Sequence, residues 1–254
     1  MYNTNIATLQ KGNSIRLGSV EGYPYDYLWT DQIWSLCNNP TYTGEFQDFK
    51  GDAIPANWVE TANNSGTVAV NAQRGGVVRF TTGTTSTNYA SLAYGLHWRV
   101  SNGYTRFTAK VASVSAITTR TIEIGLTDAT SETGGLVLSD HDATPVAVAD
   151  NAVVFGFDTG DSMTTWGVYN VNATVVGSQN LITPAPTADT FQIFDIVVDS
   201  SGNAYCYVNG TLVKSITSAV ATTAVLTPWV GVTTLTTAAA IIDADYIGIV
   251  GVRG

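Results

Sequence analysis

The sequence predicts an all-β protein: an antiparallel β-sandwich preceded by an extended N-terminal arm. Three observations predict it. Charged residues make up only 12% of the 254-residue chain, against 44% hydrophobic residues and 24 glycines. That balance, rich in Thr and Val, suits strands and tight turns better than helices. From about Gly44 onward, short apolar or alternating runs are separated by clusters of Gly, Asn, Asp, Ser and Pro. No amphipathic helix comes between them, which points to antiparallel pairing rather than to βαβ units. One large sandwich is an ordinary outcome at this length.

The elements follow in order. GVVRFTT (76–82) comes after a Gly pair and leads into a polar loop. In YTRFTAKV (104–111), Phe107, Ala109 and Val111 fall on one face while Arg106, Thr108 and Lys110 fall on the other, the alternation of a half-buried strand. TIEIGLTD (121–128), AVVFGFD (152–158), TWGVYNV (165–171), FQIFDIVVD (191–199), PWVGVTTL (228–235) and DYIGIVGV (245–252) continue the series. Between Asp199 and Ile216 stand two turn signals, SSGN and NG. Asn209-Gly210 predicts a type I′ turn, because both central residues need φ > 0 and Asn and Gly tolerate that best. Residues 191–216 therefore read as a three-strand meander. Cys206 alternates with Ala204 and Val208 as a small buried residue. For Cys37 and Cys206 two free thiols is the default reading and a single bridge the alternative.

The arm, residues 1–44, is different in kind. EGYPYDYLWTDQIWSLCNNP holds Tyr23, Tyr25, Tyr27, Trp29 and Trp34, the first four at period two. An extended chain points those four rings the same way. Together they could bury on the order of 600–1000 Å², too much apolar surface to leave in water. The arm is expected to dock on its own sandwich or on a neighbouring subunit, with sugar stacking as a third reading.

Composition excludes several function classes. The net charge is −9, and the eleven basic residues are scattered singly, so neither nucleic acid nor a membrane surface is expected as a partner. No apolar run is long enough to span a bilayer. The N-terminus lacks a charged region followed by an apolar core, so no signal peptide is expected. The N-x-[ST] triplets at Asn63, Asn172 and Asn209 accordingly carry little weight.

Four segments carry a family resemblance. EFQDFKGDAIPANW (45–58), GGVVRFTTGTT (75–85), FDIVVDSSGNAYCYVNGTLVKS (194–215) and DYIGIVGVRG (245–254) resemble, in order and spacing, strands of the concanavalin A-like lectin/glucanase sandwich. The style is that of the divergent form found in structural proteins of tailed bacteriophages. The resemblance implies a concanavalin A-like jelly roll over residues 45–254, whose last strand returns beside its first. It also implies a non-enzymatic virion protein, most specifically a capsid decoration protein on the capsid exterior, made in the host cytoplasm. Its partner would be the major capsid protein, and it would be a homo-oligomer, dimer or trimer. The arm residues Tyr23, Tyr25, Tyr27, Trp29 and Trp34 would then form the partner-binding surface. The alternative is a carbohydrate-binding module for host or mucosal glycans, with Trp98, Trp166, Tyr205 and Tyr207 as candidate residues.

Glucanases of this fold use carboxylates set closely on one strand. Only five glutamates exist here, and the nearest approach places Glu123, Asp128 and Glu132 at intervals of five and four. An interval of five puts Glu123 and Asp128 on opposite faces of a regular strand, so no catalytic residue and no enzyme is expected. No cofactor is expected either, although calcium could be held by Asp140, Asp142 and Asp150 or by Asp158 and Asp161. His97 and His141 are the only histidines, too few for a zinc site built on several imidazoles. His97, beside Trp98, is expected to be packed or hydrogen-bonded.

Overall fold

The computed structural model describes residues 42–71 and 76–252. The chain opens with β1 (Tyr42–Gln47), β2 (Val59–Ala62), β3 (Thr67–Asn71), β4 (Val77–Thr81), β5 (Tyr89–Ala93), β6 (Trp98–Arg99) and β7 (Thr105–Ser113). It continues through β8 (Arg120–Thr127), β9 (Leu138–Asp140), β10 (Val146–Ala147), β11 (Ala152–Asp158), β12 (Gly167–Asn172), β13 (Val175–Val176) and β14 (Asn180–Leu181). The last strands are β15 (Gln192–Val198), β16 (Ala204–Val208), β17 (Thr211–Ile216), β18 (Val225–Thr234) and β19 (Ile241–Val252). Strand β1 begins before residue 45, where the sandwich was expected to start. The arm and its aromatic residues Tyr23, Tyr25, Tyr27, Trp29 and Trp34 lie outside the described residues, as does Cys37.

Two large antiparallel sheets form the sandwich. The eight-stranded sheet runs β17-β16-β15-β7-β19-β4-β3, and β1 also pairs β19. Strand β7 takes one edge of β19, so β4 and β1 share the other end to end, at Ile241–Ala244 and Ile247–Val252. The last strand does return beside the first, with Tyr42 opposite Val252. The nine-stranded sheet runs β13-β12-β11-β8-β18-β5-β2, with β14 on β12 and β6 on β18. Strands β9 and β10 form a separate small hairpin.

The core lies between the sheets and is closed by aromatic rings. Phe155 of β11 meets Phe194 of β15 with ring centroids 5.1 Å apart, and Trp166 stands edge-on to Phe194 at 4.8 Å. Phe107, Ala109 and Val111 are buried as their alternation predicts, and Cys206 is a buried free thiol that burial pushes up to about 12. The Asn209-Gly210 turn has φ of 48° and 77°, the geometry expected of the β16–β17 hairpin. Asp199 holds the preceding turn by accepting hydrogen bonds from the Ser201 and Asn203 amides.

Strands β8 and β11 are buried at every position. A strand covered on one face only would alternate, so both faces of these two are covered. One cover is the opposing sheet. The other is the segment 128–151, which carries the β9–β10 hairpin and lies over the outer face of the nine-stranded sheet.

Candidate functional site

Glu123, Gly156 and Gly231 stand opposite one another on β8, β11 and β18, so all three look out from the same face of the sheet. Glu123 is fully buried there. Its Oε2 accepts the Val137 amide at 2.6 Å, and its Oε1 accepts the Leu138 amide at 2.8 Å and lies 3.0 Å from His141 Nε2. Those contacts tie the covering segment to the sheet. A side chain at Gly156 would sit 2.6 Å from the His141 ring and 2.8 Å from the Tyr169 ring. The missing Cβ is the space the imidazole occupies.

His141 is itself fully buried. Its backbone amide donates to Asp161 at 2.8 Å, and its carbonyl accepts from the Tyr169 hydroxyl at 2.5 Å and from Gln179 at 2.6 Å. Its Nδ1 faces Asp158 Oδ2 at 3.6 Å, beyond hydrogen-bond reach, and has no hydrogen-bond partner. Burial alone would lower the imidazole pKa; the Asp158 and Glu123 carboxylates outweigh it and hold it up at about 9. Burial works against the charge on Asp158 too, but His141, the Thr121 hydroxyl at 2.6 Å and the Gly160 amide at 2.6 Å keep it below the usual carboxylate range. Burial pushes the half-buried Asp161 up. His141, Asp158 and Asp161 present ligand atoms that all lie within 4.8 Å of one another, the one such group among the described residues.

Glu132 belongs to the same covered face. Burial drives its carboxyl up to about 7, and it bonds the Thr127 hydroxyl. Glu123 and Glu132 thus share one buried environment, brought together by the fold-back of the segment between them. Asp128 instead turns to Asn151, whose amide donates to it at 3.0 Å. Of the acidic residues weighed for calcium, Asp140, Asp142 and Asp150 form no cluster. Asp142 serves its own turn, accepting from Thr144, and Asp150 is exposed.

A second candidate lies at the rim beyond β5. Tyr94 stacks edge-on against Trp58 at 5.3 Å and tilts against His97 at 5.6 Å, and His97 stands edge-on to Trp98. The Thr227 hydroxyl clamps the Tyr94 backbone, donating to its carbonyl at 2.7 Å and accepting from its amide at 3.1 Å. The exposed Asn57 amide donates to the Tyr94 hydroxyl at 2.8 Å. Glu45 stands near enough to act on Tyr94 electrostatically, and burial raises its own carboxyl. His97 was expected to be packed or hydrogen-bonded; its ring packs on Tyr94 and Trp98 while remaining exposed, capping the row of aromatic rings from outside.

Trp98 and Trp166 are buried, so neither ring presents a face to a glycan. Trp98 Nε1 donates to the Thr43 carbonyl at 3.0 Å, and Trp166 Nε1 to Gln192 at 2.9 Å. Tyr205 and Tyr207 are half-buried on the outer face of the eight-stranded sheet, apart from both sites. The aromatic–amide rim was missed because its parts, Asn57, Tyr94 and His97, are separated by up to forty positions. Only the adjacency of His97 and Trp98 hinted at it. His141 carried a faint signal, a lone histidine between Asp140 and Asp142.

No family model matches the sequence, and no curated protein matches it. Solved structures do match in fold. A Shewanella oneidensis MR-1 protein of unknown function, SO2946, aligns with a TM-score of 0.62 at 14% identity over 93% of this chain and 97% of that one. A Bacillus licheniformis β-glucanase aligns at 0.57 with 10% identity, covering 81% and 97%. The metal-free Emp46p carbohydrate recognition domain aligns at 0.53 with 7% identity, covering 76% and 88%. Its potassium-bound form is similar as well. The fold is therefore the concanavalin A-like lectin/glucanase sandwich. The expectation that the chain is not an enzyme is corrected by these likenesses. Beside the β-glucanase stand a Mycobacterium thermorestibile glycoside hydrolase family protein and a chain described with endo-acting O-glycanases of the human gut microbiota. The link to hydrolysis is one of fold.

Proposed function

We propose that this chain binds carbohydrate, at the rim formed by Asn57, Tyr94 and His97. One observation carries the reading: an exposed imidazole and a half-exposed phenol, backed by Trp58 and Trp98, stand beside an exposed amide that donates to the phenol. Ring faces suit the C–H face of a pyranose, and an amide with a nearby carboxyl suits its hydroxyls. The fold, shared with carbohydrate recognition domains, supports the same reading. Glycan-array binding by the full chain, followed by affinities for His97→Ala and Asn57→Ala, tests it. Each substitution should weaken binding about tenfold or more, while Tyr205→Ala leaves it unchanged. An array with no bound glycan, or unchanged affinity in both rim variants, sinks the assignment.

For the setting in which it acts, the proposal is the capsid exterior of a tailed phage, with the major capsid protein as partner and a homo-oligomeric state. The support is the resemblance of the four segments to virion sandwiches, together with the aromatic-rich arm. Co-sedimentation with capsids lacking the protein is the test: the full chain should bind and a chain without residues 1–41 should not. Equal binding by both would remove the arm from the interface.

A further inference from the structure

The cluster at the end of β11 is built as metal-ligating clusters are. Its histidine has one ring nitrogen within hydrogen-bond distance of a carboxylate and the other without a hydrogen bond. Nε2 faces the Glu123 carboxylate at 3.0 Å, and that carboxylate is fixed by the Val137 and Leu138 amides. A metal-bound imidazole typically donates its other N–H to such an anchored carboxylate, which sets both tautomer and ring orientation. Nδ1 is buried, without a hydrogen-bond partner, and directed at Asp158 Oδ2 3.6 Å away, and an ion bound there would displace the proton that Nδ1 carries in the metal-free chain.

The donor set does not fit calcium. Calcium takes six to eight oxygens. Here only three side-chain donors converge among the described residues, and one of them is nitrogen. One imidazole with two carboxylates suits a borderline divalent ion, held by nitrogen and oxygen at roughly 2.0–2.2 Å. Two ligands of a tetrahedral ion stand roughly 3.3–3.6 Å apart; His141 Nδ1 and Asp158 Oδ2 are 3.6 Å apart, and the three ligand atoms lie within 4.8 Å of one another. Asp161, half-buried on the loop after β11, is the ligand with room to adjust.

We propose that His141 Nδ1, Asp158 and Asp161 bind a divalent transition-metal ion of zinc-like chemistry, with water completing the shell. The ion would join the covering segment, through His141, to the end of β11 and the loop behind it. It would thereby clamp the cover over Glu123.

The test uses the full chain, stripped with EDTA and dialysed, then titrated calorimetrically with zinc chloride. One zinc per chain should bind with micromolar or tighter affinity and raise the thermal midpoint, whereas millimolar calcium chloride should not. Asp161→Asn, nearly isosteric, should weaken zinc binding at least tenfold, and His97→Ala should not. If Asp161→Asn fails to fold, amide exchange of the native chain replaces it, and zinc should slow exchange at His141 and Gly160. No saturable zinc binding, calcium binding as tight as zinc, unchanged affinity in Asp161→Asn, or zinc-independent exchange at His141 would each overturn the site.

Discussion

His141 owes its position to groups that are distant in sequence. Glu123 lies 18 residues earlier and takes its Nε2, while Gly156, 15 residues later, supplies the space for its ring. Gly156→Ala therefore tests the packing directly. The new methyl would sit within 2.8 Å of both the His141 and Tyr169 rings, and overpacking of this kind costs about 1–3 kcal/mol. Urea denaturation should show that loss; a variant as stable as the native chain would mean the ring is not confined there. At this scale sequence reading was weakest. It found Asp158 and Asp161 as an acidic pair but had no means of pairing them with a histidine twenty positions away. It offered Trp98 and Trp166 as candidate glycan-binding residues, but a tryptophan's large apolar area favours the interior once its N–H has a partner, and here both do.

The elements were far more legible. The meander β15–β16–β17 follows from alternation and from two turn signals, and each turn has the expected local cause. Gly210 sits at φ 77°, where a Cβ is strained. Gly210→Val should destabilise the protein by about 1–2 kcal/mol, read as a lower denaturation midpoint with an unchanged slope. A neutral result would show that the turn tolerates another geometry. Strands β8 and β11 gave a different signal, runs without alternation, and the reason appears only in the assembled fold. Both of their faces are covered, so the pressure for polar residues on one side is absent. The short strands β2, β3 and β5 escaped the reading.

The whole molecule carries its buried acids as a dependence on pH. His141 is raised from 6.5 to about 9, so its contribution to stability is full below pH 6.5 and is lost as pH rises toward 9. Glu132 is raised from 4.5 to about 7, so between those values the unfolded chain releases a proton that the folded chain keeps, and stability falls. Asp158 is lowered, so its contribution is lost in acid below its ordinary 3.8. The three together place maximal stability of the metal-stripped chain near pH 4–5, declining toward pH 9. Urea midpoints measured in EDTA across that range check this, and Glu132→Gln should flatten the decline between pH 4.5 and 7. Midpoints that rise from pH 5 to 9 would contradict it.

Local order was written in the chain: strand positions, the type I′ turn and the meander. These depend on the two-residue period of a strand and on the φ preferences of Asn and Gly, which neighbouring residues reveal. The two sites were decided by tertiary structure. Residues 57, 94 and 97 meet only because β2 and β5 pair, with Val59 opposite Ala93. Glu123, His141, Asp158 and Asp161 meet only because the segment 128–151 folds back over the sheet. Burial and proximity set their charges and their exposure, and both belong to the packed molecule rather than to any stretch of its sequence.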